Sequence, residues 1–407
     1  MKLLIFIENI QKGGVDSFCS KLINNWPNPD DTFTIVCNKS HPGRDNMEGL
    51  IERPCKFIYH NIPLSWTLSK KMIFLPGSVR RLFQPFFRLP LLPLQYFLIR
   101  NIFLKEPAEE LLVVNGGFPG GESCRIANIV WYKMGRGKST HNFHNFAVAP
   151  RLGFGWYENW LDGIFSKSVK LFISVSKACL ESLKVRKTFK QIDNGICIYN
   201  GLEDPGSDKK INFDIRENIG VSKDTPVCLM LGTYEERKGH RFVFESFEQV
   251  LREVPEAHLV VCGGSSKEEF KKVDRIRKNT PGGERIHLFG FIHNGASLIS
   301  QIDVLLIGSQ EFESFGYTAV EAMARRKPIV STNIGGLPEV VGTDNSCGYI
   351  VDSKDTEKFS KKVVQLLKSR ELRESMGLAG RQRVKRMFAA KQMSEKYLLF
   401  IRCKKNF

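Results

Sequence analysis

The chain alternates between short apolar runs and longer amphipathic segments, a pattern that is typical of repeated βα units. The first apolar run, KLLIFIEN (2–9), is followed by a glycine turn and by QKGGVDSFCSKLINNW, whose apolar residues have helical spacing. Because strands that alternate with helices form parallel sheets, the first half of the chain predicts an α/β domain. Its other predicted strands are TFTIVCN (32–38), LLVVNGG (111–117), KLFISVS (170–176) and ICIYNG (196–201).

The same pattern restarts after a polar stretch, EDPGSDKKINFD (203–214), which we interpret as a linker or domain edge. A chain of 407 residues exceeds what one hydrophobic core usually organises. We therefore predict two doubly wound domains, residues 1–202 and 203–387, with a ligand site in a cleft between them, beyond the carboxyl ends of the strands. The predicted strands of the second domain are PVCLMLG (226–232), HLVVCGG (258–264), RIHLFGF (285–291), VLLIG (304–308) and PIVST (328–332).

Residues 66–105 depart from this pattern. The segment contains seven Lys or Arg residues and no acidic residue, together with many Phe, Leu and Ile residues. Its most apolar stretch, residues 82–99, is interrupted by Arg88 and three prolines, so the sequence does not favour a membrane-spanning helix. A surface that is cationic, aromatic and apolar indicates peripheral contact with an anionic membrane. The alternative is a pair of helices that packs on the first domain and has a solvated basic face.

Composition adds three expectations to this picture. The formal net charge of +17 indicates anionic partners, such as nucleic acid, phosphorylated ligands or an acidic membrane surface, without choosing among them. The ten cysteines are scattered singly and lack the spacing of a metal site, so we expect free thiols. The N-terminal residues form a predicted strand without the pattern of a signal peptide, which favours a cytoplasmic location.

The segment EFESFGYTAVEAMARRKPIVSTNIGGLPEVV (311–341) places two glutamates, Glu313 and Glu321, around a predicted helix start that Ser314 is placed to cap. The N-terminus of a helix that follows a strand binds phosphate through its free N–H groups and its dipole. Glu321 lies in an apolar run, where a carboxylate needs hydrogen-bond donors such as the two hydroxyls of a ribose. The alternative for Glu321 is a surface salt bridge with Arg325, four residues further along.

The turn LGTYEERKGH (231–240) places two adjacent cations, Arg237 and Lys238, between a predicted strand and a predicted helix. Two cations at such a turn would neutralise a diphosphate, and this matters most when the diphosphate is a leaving group that gains charge in the transition state. The alternative is a solvated charge cluster in which the neighbouring Glu235 and Glu236 balance the two cations.

Two further features are weaker. Gly13 and Gly14 form a glycine turn after the first strand, and glycine allows a backbone to approach a ligand closely. The turn has neither the dinucleotide-binding fingerprint nor the phosphate-binding loop pattern. His141 and His144 lie three residues apart, but no carboxylate or cysteine stands at a familiar spacing for a metal site. We therefore favour a histidine that lines the site over a histidine that binds a metal.

These motifs occur together and in one order, and the chain resembles the retaining glycosyltransferases of the GT-B fold, in particular glycosyltransferase family 4 (glycosyl transferases group 1). The Glu313-x7-Glu321 segment is similar to the family's E-x7-E segment and is followed by its usual strand and GG-x-P-E turn. GTYEERKGH resembles the family's diphosphate-binding turn, while FISVSKACLESL and IYNG resemble the end of its N-terminal domain. GGV and the His144-Asn145 pair match its acceptor-side loops.

The resemblance implies two Rossmann-like domains that face a central cleft, with the C-terminal helix, 388–407, crossing back to the first domain. It implies that the donor diphosphate lies against Arg237, Lys238 and the helix start, that Glu321 holds the nucleotide ribose, and that Glu313 holds hydroxyls of the transferred sugar. His144 is placed near the sugar or the acceptor, as a fourth residue of the catalytic group. The other positions that the resemblance assigns to the donor site are Gly13, Gly14, Phe291, Ser314, Phe315, Gly316 and Tyr317.

The function implied is transfer of a hexose from a nucleotide-diphosphate sugar to a glycan or lipid-linked acceptor, as in bacterial surface polysaccharide synthesis. No metal or other cofactor and no nucleic acid is expected, and the departing diphosphate accepts the proton of the acceptor hydroxyl. The sequence departs from the family at Thr233, where many members have an arginine that contacts phosphate. Two alternatives remain open: a GT-B epimerase that acts on a nucleotide sugar without an acceptor, and a non-catalytic sugar-nucleotide-binding protein that retains the fold.

Overall fold

The protein folds into two compact units, and each has its own parallel sheet and its own buried apolar clusters. The first unit is Met1–Gly201 together with Ala390–Phe407, and the second is Leu202–Ala389. The computed structural model describes residues 1–10, 13–71, 76–205 and 212–403.

The first unit contains a seven-stranded sheet in which all neighbouring strands are parallel. Its strands are β1 Lys2–Glu8, β2 Thr32–Asn38, β3 Cys55–His60, β4 Glu110–Asn115, β5 Ser139–Phe143, β6 Val169–Ser174 and β7 Gly195–Cys197. Their order is β3-β2-β1-β4-β5-β6-β7, so the winding direction reverses between β1 and β4. The helices are α1 Gly14–Asn24, α2 Arg44–Leu50, α3 Ser65–Lys71, α4 Gly77–Lys105, α5 Glu122–Lys133, α6 Gly155–Ser168 and α7 Lys177–Glu181.

The basic, apolar segment 66–105 forms most of α3 and all of α4. One face of α4 packs on the first unit, where Ile99 and Phe103 are fully buried against the cluster that contains Leu4 and Trp131. The predicted helix pair is therefore present. No helix among the described residues is long and apolar enough to cross a membrane. Residues 72–75, and the side chains of 80–83, lie outside the part of this segment that is described.

The second unit contains a six-stranded sheet that is also parallel throughout. Its strands are β8 Val227–Leu231, β9 His258–Cys262, β10 Ile286–Phe289, β11 Val304–Ile307, β12 Ile329–Thr332 and β13 Gly348–Val351. Their order is β10-β9-β8-β11-β12-β13, so this sheet reverses between β8 and β11. The helices are α8 Ile215–Ile219, α9 His240–Glu253, α10 Lys267–Lys278, α11 Tyr317–Ala324, α12 Leu337–Val341, α13 Thr356–Lys368 and α14 Arg370–Met387.

The last helix, α15 Ala390–Arg402, returns to the first unit. Its apolar face packs on α1, and the hydroxyl of Ser394 donates a 3.0 Å hydrogen bond to the carbonyl of Leu22. Tyr397 is fully buried, and Nδ2 of Asn142 donates to its hydroxyl over 2.7 Å. The predicted crossing of the C-terminal helix back to the first domain is confirmed.

Candidate active site

The loops that follow β8 and β11 lie side by side, because the strand order of the second unit reverses between these two strands. The loop after β8 passes through a 3-10 turn, Glu236–Lys238, and then through Gly239, whose φ is 74°. A Cβ atom at Gly239 would lie 1.9 Å from the carbonyl oxygen of Gly308, at the end of β11. The amide of Gln310 donates a 2.8 Å hydrogen bond to the carbonyl of Arg237. Glycine at 239 thus lets the two predicted phosphate-binding loops touch.

Lys238 and Glu313 form an ion pair where these loops meet. The ammonium nitrogen of Lys238 lies 2.5 Å from Oε2 of Glu313, and the hydroxyl of Ser309 donates to the same oxygen over 3.2 Å. The lysine side chain is 20% exposed and the glutamate side chain 15%, so the pair is largely shielded but still reachable by a ligand. A lysine ammonium has three donors and a carboxylate has several acceptor positions. The pair can therefore donate to a phosphate oxygen and accept from a sugar hydroxyl while it remains joined.

Main-chain contacts hold Glu313 in this position. The amide of Gly336 donates a 2.8 Å hydrogen bond to the carbonyl of Glu313. Gly335 has a φ of 58°, and a Cβ atom there would lie 2.2 Å from the same carbonyl oxygen. The hydroxyl of Thr332 donates over 2.6 Å to the carbonyl of Ser309. The Gly-Gly turn after β12 thus fixes the loop that carries the carboxylate.

Arg237 lies beside this pair in sequence but has a different environment. Its Nε lies 2.5 Å from Oε2 of Glu235, and its guanidinium stacks over the ring of Phe312 with 4.8 Å to the centroid. The side chain is 24% exposed. Helix α9 begins at His240, after the left-handed Gly239, so Arg237 precedes the helix. Arg237 is consequently on the turn itself, where a flexible side chain can exchange its partner for a phosphate.

The start of α11 differs from its prediction in one respect. Ser314 does not cap the helix: the N-cap is Gly316, which has a φ of 90° and no side chain to supply a capping bond. Glycine suits this position because side chains rarely adopt a φ of 90°. Phe315 is buried, with its ring 5.8 Å from that of Phe388, and this anchors the loop before the helix. The helix begins at Tyr317 and presents a positive dipole end that no side chain of the N-cap residue occupies.

Two further predicted donor positions, Glu321 and Phe291, lie on the second unit. Glu321 lies on α11, half-buried, and Nη1 of Arg325 donates a 3.0 Å hydrogen bond to its main-chain carbonyl. Phe291 follows β10 and is 68% exposed, with its ring 5.3 Å from that of His293. An exposed aromatic ring beyond the carboxyl end of a strand is suited to stacking on a planar base. Thr233, at the position of the family's arginine, is exposed at the end of β8.

The remaining predicted positions, Gly13 and Gly14 of the donor site and His144 near the sugar or acceptor, lie on the first unit. Gly13 is the N-cap of α1, Gly14 is its first residue, and the amide of Gly13 donates to the carboxylate of Asp16 over 3.1 Å. His144 follows β5 and packs edge-on against Phe18, with 4.4 Å between ring centroids. Burial lowers the pKa of His144 to about 3, so its ring is neutral at physiological pH. Its Nε2 is buried and has no hydrogen-bond partner in the described structure, which leaves it available to a ligand.

The other histidine of the pair has a structural environment. His141 is fully buried, its Nδ1 accepts from Nδ2 of Asn128 over 3.0 Å, and its ring lies 5.0 Å from that of Phe165. Among the residues that the structure describes, no group of three or more His, Cys, Asp or Glu side chains is arranged to hold a metal ion.

One acidic residue that the sequence interpretation did not select lies at the switch point of the first unit. Glu8 ends β1 and is 4% exposed. Its carboxylate accepts from the amide of Glu122 over 3.1 Å and from the amide of Ser123 over 2.6 Å, so it holds the N-terminus of α5. Burial raises the pKa of Glu8 to about 7, although the hydrogen bonds of Ser123 oppose this effect. The sequence feature that could have identified Glu8 is its position, a carboxylate at the end of an apolar strand in a predicted doubly wound sheet.

Comparison with known proteins gives a family match for the second unit. Residues 212–383 match the family described as glycosyl transferases group 1. The match lies within the second unit and covers less than half of the chain. The chain is 28% identical over 200 residues to N-acetyl-alpha-D-glucosaminyl L-malate synthase of Bacillus anthracis, covering 49% of this chain and 51% of that protein. It is 24% identical over 189 residues to the lipopolysaccharide core biosynthesis glycosyltransferase LpsE of Rhizobium meliloti, covering 46% and 53%. The chain spans about half the length of the curated relatives it matches.

A solved structure extends the likeness to the fold of the whole chain. The crystal structure of Anabaena HepE in complex with UDP superposes with a TM-score of 0.73 at 15% identity, covering 98% of this chain and 99% of that chain. At this level of identity the likeness concerns the fold alone. Together with the two parallel sheets and the family match, it confirms the predicted GT-B fold.

Proposed function

We propose that this glycosyltransferase transfers a hexose from a nucleotide-diphosphate sugar to a glycan or lipid-linked acceptor, with retention of the anomeric configuration and without a metal ion. The observation that carries the proposal is the junction of the loops after β8 and β11. It brings the Lys238–Glu313 ion pair together with Arg237 and with the dipole end of α11. Three positive groups, with the carboxylates of Glu313 and Glu235 beside them, suit a ligand that has both phosphate oxygens and hydroxyl groups.

In this scheme the donor diphosphate binds against Lys238, Arg237 and the start of α11. Charge develops on the diphosphate as the glycosidic bond breaks, so fixed positive groups stabilise the transition state more than the ground state. Glu313 accepts hydrogen bonds from hydroxyls of the transferred sugar, and Glu321 accepts those of the ribose. The departing diphosphate takes the proton of the acceptor hydroxyl on the face that it leaves, which accounts for retention. The structure of HepE with UDP supports a nucleotide donor.

The acceptor class rests on different support. The relative LpsE is named for lipopolysaccharide core biosynthesis, and this favours a glycan or lipid-linked acceptor in surface polysaccharide synthesis. His144 of the first unit is the residue that we assign to the sugar or acceptor side, because its neutral ring keeps one buried nitrogen without a partner. No nucleic acid partner is proposed, since the basic charge is accounted for by phosphorylated substrates and by the membrane contact described below.

Binding of a nucleotide sugar is expected to stabilise the protein in a thermal-shift panel of UDP, GDP, ADP and their sugar conjugates. A ligand at 100 times its Kd stabilises the native state by about 2.7 kcal/mol, which corresponds to a rise in Tm of roughly 5–10 °C for a domain of this size. One nucleotide series should produce this shift, and Arg237→Gln should reduce it. Arg241→Gln, at an exposed position of α9 whose charge pairs with Glu245, is the matched control and should leave it unchanged.

Activity assays and the thermal-shift panel together separate the proposal from its alternatives. Transfer to an acceptor extract is expected to continue in excess EDTA, and its loss on chelation would contradict a metal-independent mechanism. Epimerisation of the nucleotide sugar in the absence of any acceptor would favour the isomerase. If no nucleotide shifts Tm in the wild-type protein, the proposed donor site is wrong.

The outer face of α4 supports peripheral membrane contact. Among the side chains of α4 that the structure describes, five large apolar ones are exposed on one face, whereas Ile99 and Phe103 on the opposite face are buried. The ring of Phe86 packs on that of Phe154, just before α6, and α6 exposes Trp156 and Trp160. Segment 66–105 also has no acidic residue. We propose that this surface contacts an anionic membrane, because tryptophans, apolar residues and cations favour the membrane interface. The exposed apolar residues of α4 are Phe86, Leu89, Leu94, Phe97 and Leu104.

Two basic residues of α4, Arg100 and Lys105, are exposed and are suitable for a test of this contact. Each cation near an anionic surface contributes about 1 kcal/mol, so the double variant Arg100→Gln/Lys105→Gln should bind anionic liposomes roughly 30-fold more weakly in co-sedimentation. Phe97→Ser should also weaken binding. The matched control is Leu378→Ser, which removes an equally exposed apolar side chain from α14. Equal binding by wild type and all variants would contradict membrane contact through this face.

A further inference from the structure

Two buried side chains hold the two ends of the turn that connects β1 with α1, and both come from the end of β2, the neighbour of β1 in the sheet. They are Asn38, the last residue of β2, and His41, in the loop that follows it. The turn leads into Gly13, the N-cap of α1, and Gly14, the first residue of this helix. The family resemblance assigns both glycines to the donor site, so the side chains that fix their main chain bear on donor binding.

Asn38 fixes the start of the turn through its carboxamide. Its Oδ1 accepts from the amide of Asn9 over 2.9 Å, and its Nδ2 donates to the carbonyl of Asn9 over 2.9 Å. Nδ2 also donates to the hydroxyl of Ser40 over 3.0 Å. One side chain thus satisfies both main-chain groups of Asn9, the first residue after β1.

His41 fixes the other end of the turn through Asp16, in the first turn of α1. Nε2 of His41 lies 2.7 Å from Oδ1 of Asp16, and because an ionised carboxylate only accepts hydrogen bonds, the imidazole is the donor. The other carboxylate oxygen, Oδ2, accepts from the amide of Gly13 over 3.1 Å. Asp16 and His41 are 1% and 2% exposed. The amide of His41 donates to the carbonyl of Asn38 over 3.0 Å, which joins the two contacts into one cluster.

The packing around Asp16 leaves its carboxylate little freedom. A Cβ atom at Gly43 would lie 2.1 Å from Oδ2 of Asp16 and 3.0 Å from Cε1 of His41. The φ of Gly43 is −96°, which any residue adopts, so it is the carboxylate that leaves no room for a side chain there. A Cβ atom at Gly13, in contrast, would have no atom within 4 Å. Asp16 therefore holds the amide of Gly13 while the space beside its Cα stays open to a ligand.

We propose that Asn38, Asp16 and His41 are positioning residues for sugar transfer, which hold the main chain at Gly13 and Gly14 against the donor diphosphate. They act through these glycines and not by contact with the donor. Main-chain N–H groups stabilise the charge of a departing group only when they are in place before the bond breaks. The inference rests on the proposed transferase function and deepens it, because it assigns a role to three side chains of the first unit that lie behind the donor site.

The first test measures the hold on the turn without turnover, as hydrogen–deuterium exchange of the peptide that contains Gly13 in the full chain. His41→Leu removes the donor to Asp16. His41→Gln keeps a donor nitrogen at the same number of bonds from the main chain. Exchange is expected to be about tenfold faster in His41→Leu and close to the wild type in His41→Gln.

A second pair of variants tests the hold without removing a donor or an acceptor. Gly43→Ala places a Cβ atom against the carboxylate of Asp16, which must move. Gly49→Ala, on the neighbouring helix α2, is the matched control, since its added Cβ has no atom within 4 Å. Gly43→Ala should exchange faster in the same peptide, and Gly49→Ala should not. If His41→Leu does not fold, this pair decides the result.

The kinetic test uses the nucleotide sugar that the thermal-shift panel identifies, well below the Tm of each variant. We expect kcat to fall by about 10²-fold in His41→Leu and Gly43→Ala, with less than about a threefold change in the donor KM. Asn38→Asp, which keeps the shape but removes the Nδ2 donor to Asn9, should behave in the same way. His41→Gln should restore most of the rate, and a contact that served only stability would show no such split between kcat and KM.

Failure of this inference is distinguishable from failure of the proposed function. If the wild type transfers no sugar from any UDP, GDP or ADP conjugate, the proposed function is wrong and the inference falls with it. If the wild type is active and Gly43→Ala and Asn38→Asp keep its kcat, the inference alone is overturned. Unchanged exchange at Gly13 in both His41→Leu and Gly43→Ala would overturn it as well.

Discussion

Replacement of Lys238 by methionine is expected to lower kcat of sugar transfer by about 10²–10³, the loss that follows removal of one preorganised charge from a transition state. The effect should fall mainly on kcat, because the charge of the diphosphate increases as the sugar departs. The substitution also removes the ion-pair partner of Glu313, whose carboxylate keeps its hydrogen bond from the Ser309 hydroxyl. Because the pair is 15–20% exposed, this should lower the free energy of unfolding by no more than about 1–2 kcal/mol.

The control is a second lysine–glutamate pair of the same unit. Nζ of Lys368, on α13, lies 2.7 Å from Oε2 of Glu253, on α9, and both side chains are mostly exposed. Lys368→Met therefore removes an equal charge from a residue outside the junction, and its kcat should match that of the wild type. Steady-state kinetics with the nucleotide sugar found in the thermal-shift panel provide the measurement. Near-normal kcat for Lys238→Met would show that the ion pair has no part in transfer.

The sequence predicted the parallel strands that are buried on both faces, and the reason is physical. β1, β8, β9 and β11 are continuous runs of apolar residues, because helices cover both sides of each sheet. β5 was not predicted, since its sequence, STHNF, is mostly polar. All five of its residues are nevertheless buried, and tertiary partners satisfy several of their polar groups: the hydroxyl of Ser139 donates to the side chain of Asn128 over 2.7 Å. A hydrophobicity pattern does not show which tertiary hydrogen-bond partner allows a polar residue to be buried.

The same limit applies to the candidate site. Lys238 and Glu313 were each selected from the sequence, but their ion pair depends on two loops that are 75 residues apart in the chain. The helix start of α11 was predicted within two residues, whereas its cap was wrong. A serine is ordinarily a better capping residue than a glycine, but Gly316 takes the position here with a φ of 90°. Local sequence contains the capping preference but not the main-chain path that overrides it.

Gly335 links this turn to the active carboxylate, and its replacement gives the second large prediction. Gly335→Ala is expected to lower kcat by about 10²-fold and the free energy of unfolding by about 1–3 kcal/mol. The φ of 58° disfavours any side chain, and the new Cβ atom would lie 2.2 Å from the carbonyl oxygen of Glu313. The main chain of Glu313 must then move, and a displacement of about 1 Å at a reacting group costs roughly 10²-fold in rate.

Gly264→Ala provides the matched control, because it lies in the loop after β9 of the same unit and has no atom within 4 Å of its added Cβ. It should retain both the wild-type rate and the wild-type stability. The rate of Gly335→Ala should be measured well below its Tm, so that loss of activity reports displacement of Glu313 instead of unfolding. A variant that keeps its rate while losing stability would mean that the Gly-Gly turn supports the fold alone. A variant that loses rate with its Tm nearly intact would mean that the turn positions the carboxylate for transfer.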